Sequence, residues 1–225
     1  MLKRMQVNTC GYYVAIFGNN LCKFFNNSYS TVTYSFATAS QGEKCVDQLA
    51  VESGISIKLA SAHLKELKGA NLVSWRRGGK NMFYRLSDEH VADLWVALRT
   101  LAEERFQELQ TTMKTLLSNP RELSPVSGRE LLRKARKGEV VVLDVRPLAE
   151  YQTAHIPCAL SIPLPELKQR IAELPGDRMI VAYCRGPFCL MAREAVGILA
   201  QEGFDAVRLE DGVAEWRARG LFLAR

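Results

Sequence analysis

The sequence predicts a mainly α winged helix-turn-helix domain followed by an α/β domain with a parallel sheet. Two observations carry this fold class. Between residues 43 and 86 a helix, turn, helix pattern is closed by a basic hairpin, and from residue 127 onward short apolar runs alternate with helical patterns. A stretch bearing two prolines and two serines, residues 118–126, lies between the halves and reads as a linker.

Residues 1–42 stand apart. They hold no Asp or Glu, three basic residues and eight of the nineteen aromatics, and neither helical nor strand periodicity persists across them. Lys3 and Arg4 ahead of an apolar stretch loosely imitate a signal peptide, but no small-residue cleavage site follows.

From Glu43 the pattern becomes regular. Cys45, Val46, Leu49 and Ala50 have helical spacing, and Gly54 suits the turn after a helix. Ser56 is placed to cap a second helix over Ile57–Lys68, with Ala60, Leu64 and Leu67 on its apolar face. Asn71–Arg77 and Asn81–Leu86 then flank Gly78-Gly79-Lys80 as a β-hairpin. A long amphipathic helix starts at Ser87-Asp88 and runs through Val91, Leu94, Trp95, Leu98, Leu101, Ala102, Phe106, Leu109, Met113 and Leu116. Its length suits a helix that also packs on a second subunit, so a homodimer through residues 88–117 is expected. The domains are therefore expected at 43–117 and 127–225.

In the second domain Val140–Leu143, Met179–Tyr183 and, more weakly, Ala206–Leu209 read as buried parallel strands. Helices are expected over Ser127–Lys137, Leu164–Leu174, Leu190–Glu202 and Val213–Arg219, covering both faces of the sheet.

The chain has 225 residues, 48% of them hydrophobic and 24% charged, which fits a soluble globular protein with two modest cores. No apolar run approaches the roughly 18–20 residues of a membrane helix, so no membrane partner is expected. Six cysteines, none in C-x-x-C spacing, are too few for a disulfide scaffold and read as reduced thiols in a cytoplasm.

The net charge of +6 and pI of about 9.1 permit a polyanionic partner. Residues 58–85 alone carry seven basic side chains against Glu66, a net of +6. A basic helix face beside a basic hairpin is suited to double-stranded DNA, through phosphate neutralisation and base contacts in the major groove. The alternative is a solvated charged face.

The run from Cys45-Val-Asp-Gln-Leu-Ala through Ala60-Ser-Ala-His-Leu-Lys to Arg76-Arg-Gly-Gly-Lys80 and Phe83-Tyr-Arg-Leu86 resembles the ArsR family of dimeric bacterial repressors. The resemblance covers about residues 43–112. It implies a recognition helix over Ser56–Lys68, with Ser56, Lys58, Ser61, Ala62, His63 and Lys65 facing the groove. It places Arg76, Arg77, Lys80 and Arg85 on the wing. Metal-sensing relatives use Cys-x-Cys or Asp-x-His with further ligands. Here Cys45 is followed by Asp47, and Asp88-x-His90 lacks its expected next ligand, Leu101 standing there, so no metal is expected. The family also supplies two helices at the start. Residues 1–42 look like neither, as a reading-frame change or a displaced start near Gly42 would explain.

Between the Met179–Tyr183 strand and the following helix lies Cys184-Arg-Gly-Pro-Phe-Cys189. Ligands bind at such strand ends in open α/β sheets, and a helix N-terminus there favours an anion and lowers a thiol's pKa. A buried inert cysteine is the plainer alternative. This loop, with Leu143-Asp-Val-Arg-Pro-x-x-Glu-Tyr-x-x-x-His-Ile-Pro-Cys158 and Leu209-Glu-Asp-Gly-Val-Ala-Glu-Trp216, resembles the rhodanese family over about residues 124–224. The resemblance implies that Cys184 accepts sulfur as a transient persulfide, with no other cofactor. The backbone of Arg185, Gly186, Pro187, Phe188 and Cys189 would hold the sulfur or an incoming anion, and Asp144, Arg146, Glu150 and His155 would brace the site. The sulfur donor would be a compound such as thiosulfate or polysulfide.

Three positions depart from that family. Cys158 replaces its usual glycine, Cys189 replaces the common terminal arginine of the loop and is a candidate resolving thiol, and residue 190 is Leu. A cysteine phosphatase or arsenate reductase of the related type needs Arg at that last position to grip an oxyanion, so that chemistry is not expected. The order of the halves resembles bacterial regulators in which the two are fused. The expected function is transcriptional regulation, of repressor type, in which Cys184 senses or carries sulfane sulfur or redox state. The alternatives are a sulfurtransferase with a degenerate DNA-binding half, and an interaction platform with an unreactive Cys184.

Overall fold

The computed structural model describes residues 42–53, 55–105, 127–186 and 189–225. Expectations placed on residues 1–41, on the helix beyond Arg105, on the 118–126 linker and on Pro187 and Phe188 lie outside the described residues. The chain divides into two units, 1–116 and 117–225.

The first unit starts with a two-residue strand, β1 (Lys44–Cys45), followed by α1 (Val46–Ser53) and α2 (Ile57–Gly69). Ser56 caps α2 as its sequence position implies, its side chain accepting from the Leu59 amide at 3.2 Å, a contact worth about 1 kcal/mol. Ala60, Leu64 and Leu67 are buried against Leu49 and Ala50, the 3- and 4-residue spacing putting all three on one face. Each fully buried leucine contributes about 2 kcal/mol. Asn71 ends the helix in the left-handed region with φ 56, which a short polar side chain tolerates.

β2 (Val73–Gly78) and β3 (Asn81–Leu86) form the hairpin, from Val73↔Leu86 down to Gly78↔Asn81. β1 adds to the other edge of β3 through Lys44↔Tyr84 and Cys45↔Phe83, giving the order β1-β3-β2. Sequence periodicity could not disclose β1, because two residues contain no period. α3 (Glu89–Arg105) buries Ala92, Trp95 and Val96, whereas Leu94 and Leu101 of the expected stripe are exposed at 63% and 49%.

The second unit begins with α4 (Gly128–Arg136), capped by Ser127, and β4 (Val140–Asp144). α5 (Leu148–Thr153) and β5 (Ala159–Ser161) follow, neither of which the periodicity disclosed. The single helix expected over Leu164–Leu174 is instead a 3-10 turn at Leu164–Glu166, a one-turn helix α6 (Leu167–Arg170) and a second 3-10 turn at Ile171–Glu173. Pro163 and Pro165 withhold amide donors at its start. Arg170 then spans the breaks by pairing with Glu166 and Glu173. β6 (Met179–Tyr183), α7 (Met191–Gln201), β7 (Ala206–Arg208) and α8 (Val213–Ala218) complete the unit.

The four strands are parallel in the order β5-β4-β6-β7. Alternation along β4 and β6 divides the core between the two faces. Leu143, Ile180 and Ala182 pack with Ala192, Ala195 and Leu199 of α7. Val142, Val181 and Tyr183 pack with Leu131 of α4 and Trp216 of α8.

Cys158 sits in the left-handed region with φ 67, where the rhodanese-type pattern has glycine. A side chain there costs about 1–2 kcal/mol, part of which glycine's greater unfolded-state freedom offsets. Cys158→Gly should therefore stabilise this unit by a net of about 0.5 kcal/mol, visible as a higher urea midpoint. A lower midpoint would show that the turn prefers cysteine.

Candidate functional site

Cys184 leaves the C-terminal end of β6 and lies under the N-terminus of α7. Cys184 is 2% exposed and Cys189 3%, and both belong to the cluster beneath α7. The Cys184 thiol contacts the Cys189 carbonyl oxygen at 3.3 Å.

Burial alone would push the Cys184 thiol up. Hydrogen bonds from the Cys189 thiol and from the Ala192 and Arg185 amides, with the Arg208 charge, more than offset it and hold Cys184 below the ordinary thiol range. Cys189 moves the opposite way. Its hydrogen bond to Cys184, its burial and the neighbouring Cys184 charge hold it well above that range. The two shifts run in opposite directions, which makes Cys184 the more acidic thiol of the pair.

Backbone shape makes this cradle. Gly186 has φ +123, and a Cβ there would lie 2.8 Å from Glu215 Oε2. A Cβ on Gly212 would lie 2.6 Å from the Gly186 nitrogen and 2.8 Å from the Cys184 oxygen. Glu215 accepts from the Gly212 amide at 2.7 Å, tying the start of α8 beneath the loop. The Cys189 amide closes the loop's far side on the Gly186 carbonyl at 3.1 Å.

Two buried ion pairs lie near the loop. Arg185 makes a forked pair with the buried Glu150, at 3.1 Å from Nε and 2.5 Å from Nη2. Asp144 is fully buried and receives Arg146 at 3.0 and 2.7 Å and the Tyr183 hydroxyl at 2.5 Å. Arg146 also donates to the Ala154 carbonyl at 2.9 Å, and the Tyr183 oxygen accepts from the Ile156 amide at 3.1 Å. Burial and the Asp144 carboxylate hold the Tyr183 phenol above its ordinary range, so it stays a proton donor to that carboxylate. His155 is a brace: its ring stacks on Tyr151 at 3.8 Å and its backbone pairs with Ala224. Its Nδ1 lies 2.9 Å from the Tyr151 oxygen.

Sequence reasoning missed Arg208, Tyr183 and Glu215 as site residues. Arg208 is 1% exposed, on β7 in register with Ala182 of β6. An arginine in a short strand reads as a solvent-facing charge, and only the sheet order places it beside the thiol. The Gly-x-x-Glu spacing at Gly212–Glu215 was a legible helix-start signal.

In the first unit Ser56, Lys58, Ser61, Ala62 and Lys65 are exposed on α2. His63 differs: it is half-buried, with Nε2 enclosed, and burial lowers its pKa, which favours the neutral imidazole. On the wing, Arg76 is held by Glu43 at 2.8 and 2.5 Å, so its charge is largely answered within the protein. Arg77, Lys80 and Arg85 are exposed, Arg85 bonding to Ser74 at 3.2 Å. Lys68 lies over the Trp75 ring at 3.8 Å, joining helix and wing. No helix among the described residues is long and apolar enough to cross a membrane.

Residues 127–219 match the model of the rhodanese-like domain. The chain is 43% identical over 182 residues to HTH-type transcriptional regulator Rv0324 of Mycobacterium tuberculosis, spanning 81% of this chain and 80% of that protein. It is 34% identical over 90 residues to a sulfurtransferase of Allochromatium vinosum, spanning 40% of this chain and 82% of that protein. It is also 37% identical over 54 residues to HTH-type transcriptional repressor SmtB of Mycobacterium tuberculosis, spanning 24% of this chain and 40% of that protein.

Proposed function

Because the chain belongs to the family of ArsR-type helix-turn-helix transcriptional regulators that carry a C-terminal rhodanese-like domain, we propose that it is a repressor whose DNA affinity responds to sulfane sulfur or redox state at Cys184. The observation that carries this reading is the Cys184 cradle: a thiol held below its ordinary range, under a helix N-terminus, in a chain that also presents a basic recognition helix.

The chemistry follows from that cradle. The Cys184 thiolate attacks the outer sulfur of thiosulfate, the sulfur–sulfur bond to the sulfite group breaks, and sulfite leaves with the electron pair. A polysulfide donor would instead release a shortened polysulfide. The resulting persulfide anion is held by the same amides of Arg185 and Ala192 that favour the thiolate. Arg185, anchored by Glu150, keeps the loop in place during the transfer.

On the other unit α2 enters the major groove with Lys58, Ser61 and Lys65, while Arg77, Lys80 and Arg85 follow the backbone of double-stranded DNA. Exposed Leu94 and Leu101, seven residues apart on one side of α3, suit the same helix of a second copy. The free cysteines among the described residues fit a reducing cytoplasm. For sulfur to act as a signal, persulfidation must favour one arrangement of the dimer over another, which makes DNA affinity and sulfur uptake reciprocally coupled.

The test is DNA titration after selection from random-sequence duplexes, before and after thiosulfate or polysulfide. Lys65→Gln should weaken binding and reduce the slope of log affinity against log salt by about 1. Treatment should shift the affinity of the wild type and leave Cys184→Ser unchanged. Equal affinity of treated and untreated wild type would remove the sensing function. Catalytic turnover of thiosulfate with no salt-dependent DNA binding would favour a sulfurtransferase, the reading that the Allochromatium relative supports.

A further inference from the structure

We infer that Cys184 and Cys189 form a sulfide-releasing dithiol, in which Cys189 attacks a persulfide on Cys184 and converts bound sulfane sulfur to hydrogen sulfide. This rests on Cys184 accepting sulfane sulfur and adds the fate of that sulfur. Three features of the loop carry it.

The two cysteines are already neighbours: the Cys184 thiol donates to the Cys189 carbonyl at 3.3 Å, and both side chains belong to the same buried cluster beneath α7. Both are buried, at 2% and 3% exposure, so an external thiol acceptor must reach an enclosed sulfur while Cys189 is in place. That difference is one of effective concentration and favours the internal reaction. The third feature is the proton. Cys189 is the less acidic thiol of the two, so it brings a proton to the leaving group.

The step balances. Cys189 Sγ forms a bond to Cys184 Sγ, the bond from Cys184 Sγ to the outer sulfur breaks, and that sulfur leaves with the bonding pair. It takes the proton of the Cys189 thiol and departs as hydrosulfide, the ionised form of hydrogen sulfide. The two cysteine sulfurs are oxidised by one electron each, and the sulfane sulfur is reduced by two. A thiol reductant of low molecular weight then restores the dithiol by exchange. The product is a Cys184–Cys189 disulfide across the mouth of α7, a state that outlasts the persulfide and does not depend on an acceptor.

The test uses the full-length reduced protein without oxygen, given equimolar thiosulfate or an alkanethiosulfonate. The by-products of these donors are sulfite and a sulfinate, so free sulfide can arise only from the second step. The wild type should release sulfide in proportion to protein, lose the mass of two hydrogens, and yield a crosslinked Cys184–Cys189 peptide. Cys189→Ser should keep a one-sulfur mass gain on Cys184 and release sulfide at least about 10-fold more slowly. A wild type that retains the one-sulfur adduct without sulfide, or a Cys189→Ser protein that releases it at the wild-type rate, overturns the dithiol. If neither protein gains sulfur or releases sulfide, Cys184 is not an acceptor and the sensing function fails with it. Should Cys189→Ser not fold, the wild-type peptide map decides alone: a crosslinked pair supports the step and its absence overturns it.

Discussion

Asp144→Ala is expected to lower the unfolding free energy of the second unit by about 3–5 kcal/mol. Asp144 is the shared acceptor at the end of β4: it takes both guanidinium bonds of Arg146 and the Tyr183 hydroxyl, and none of the three side chains reaches water. Removing the carboxylate leaves the buried Arg146 guanidinium with the Ala154 carbonyl as its remaining described hydrogen-bond acceptor, and deprives Tyr183 of its acceptor. Against a total stability of about 5–15 kcal/mol, that is a large share of the unit's margin. Urea unfolding followed through the buried Trp216 checks this. A loss under about 1 kcal/mol would show that the pair is nearly neutral in place, as some buried pairs are. Asp144→Asn should cost less, because the amide oxygen still accepts from Tyr183.

The second large effect is chemical. Cys184→Ser should abolish sulfur uptake at the loop while leaving the fold nearly intact, since Ser is close to isosteric and the cradle is backbone. In the wild type, modification of Cys184 by a small electrophile should rise with pH through a midpoint below the usual free-thiol value of about 8.5. The sign follows from the arrangement. The amides of Arg185 and Ala192, the Cys189 thiol and Arg208 all favour the charged form, so the thiolate persists to lower pH than in a free cysteine. Arg208→Met removes the buried charge and should move that midpoint upward. An unchanged midpoint in Arg208→Met would show that the hydrogen bonds alone set it.

Much of the architecture was legible one element at a time. The second helix, the hairpin and the two central strands β4 and β6 carry strong local signals: a cap, a 3.6-residue apolar period, a glycine turn, continuous apolar runs. Elements without such signals were missed or misjudged. β1 is two residues long, β5 three, and the Leu164–Leu174 segment is apolar at helical spacing yet broken by Pro165 at its start. The site was legible where a residue's type and place in a motif suffice, as for Cys184 and for the Asp144–Arg146 and Glu150 braces. It was illegible where the partner lies far along the chain: Arg76 looked like a free phosphate contact until Glu43, 33 residues away, was found holding it.

By itself the sequence determined the two fold classes, their order, the cysteine loop at the end of the central strand and the location of the basic charge. All of these follow from local periodicity and from residue types in short motifs. Only the tertiary structure decided which charges remain available and which thiol is the more acidic. It turned His63 partly inward, paired Arg76, brought Arg208 beside Cys184 through the order of β6 and β7, and packed Cys189 against it. The physical reason is that a charge or a thiol takes its properties from the dipoles and ions around it, and the fold assembles those from distant segments.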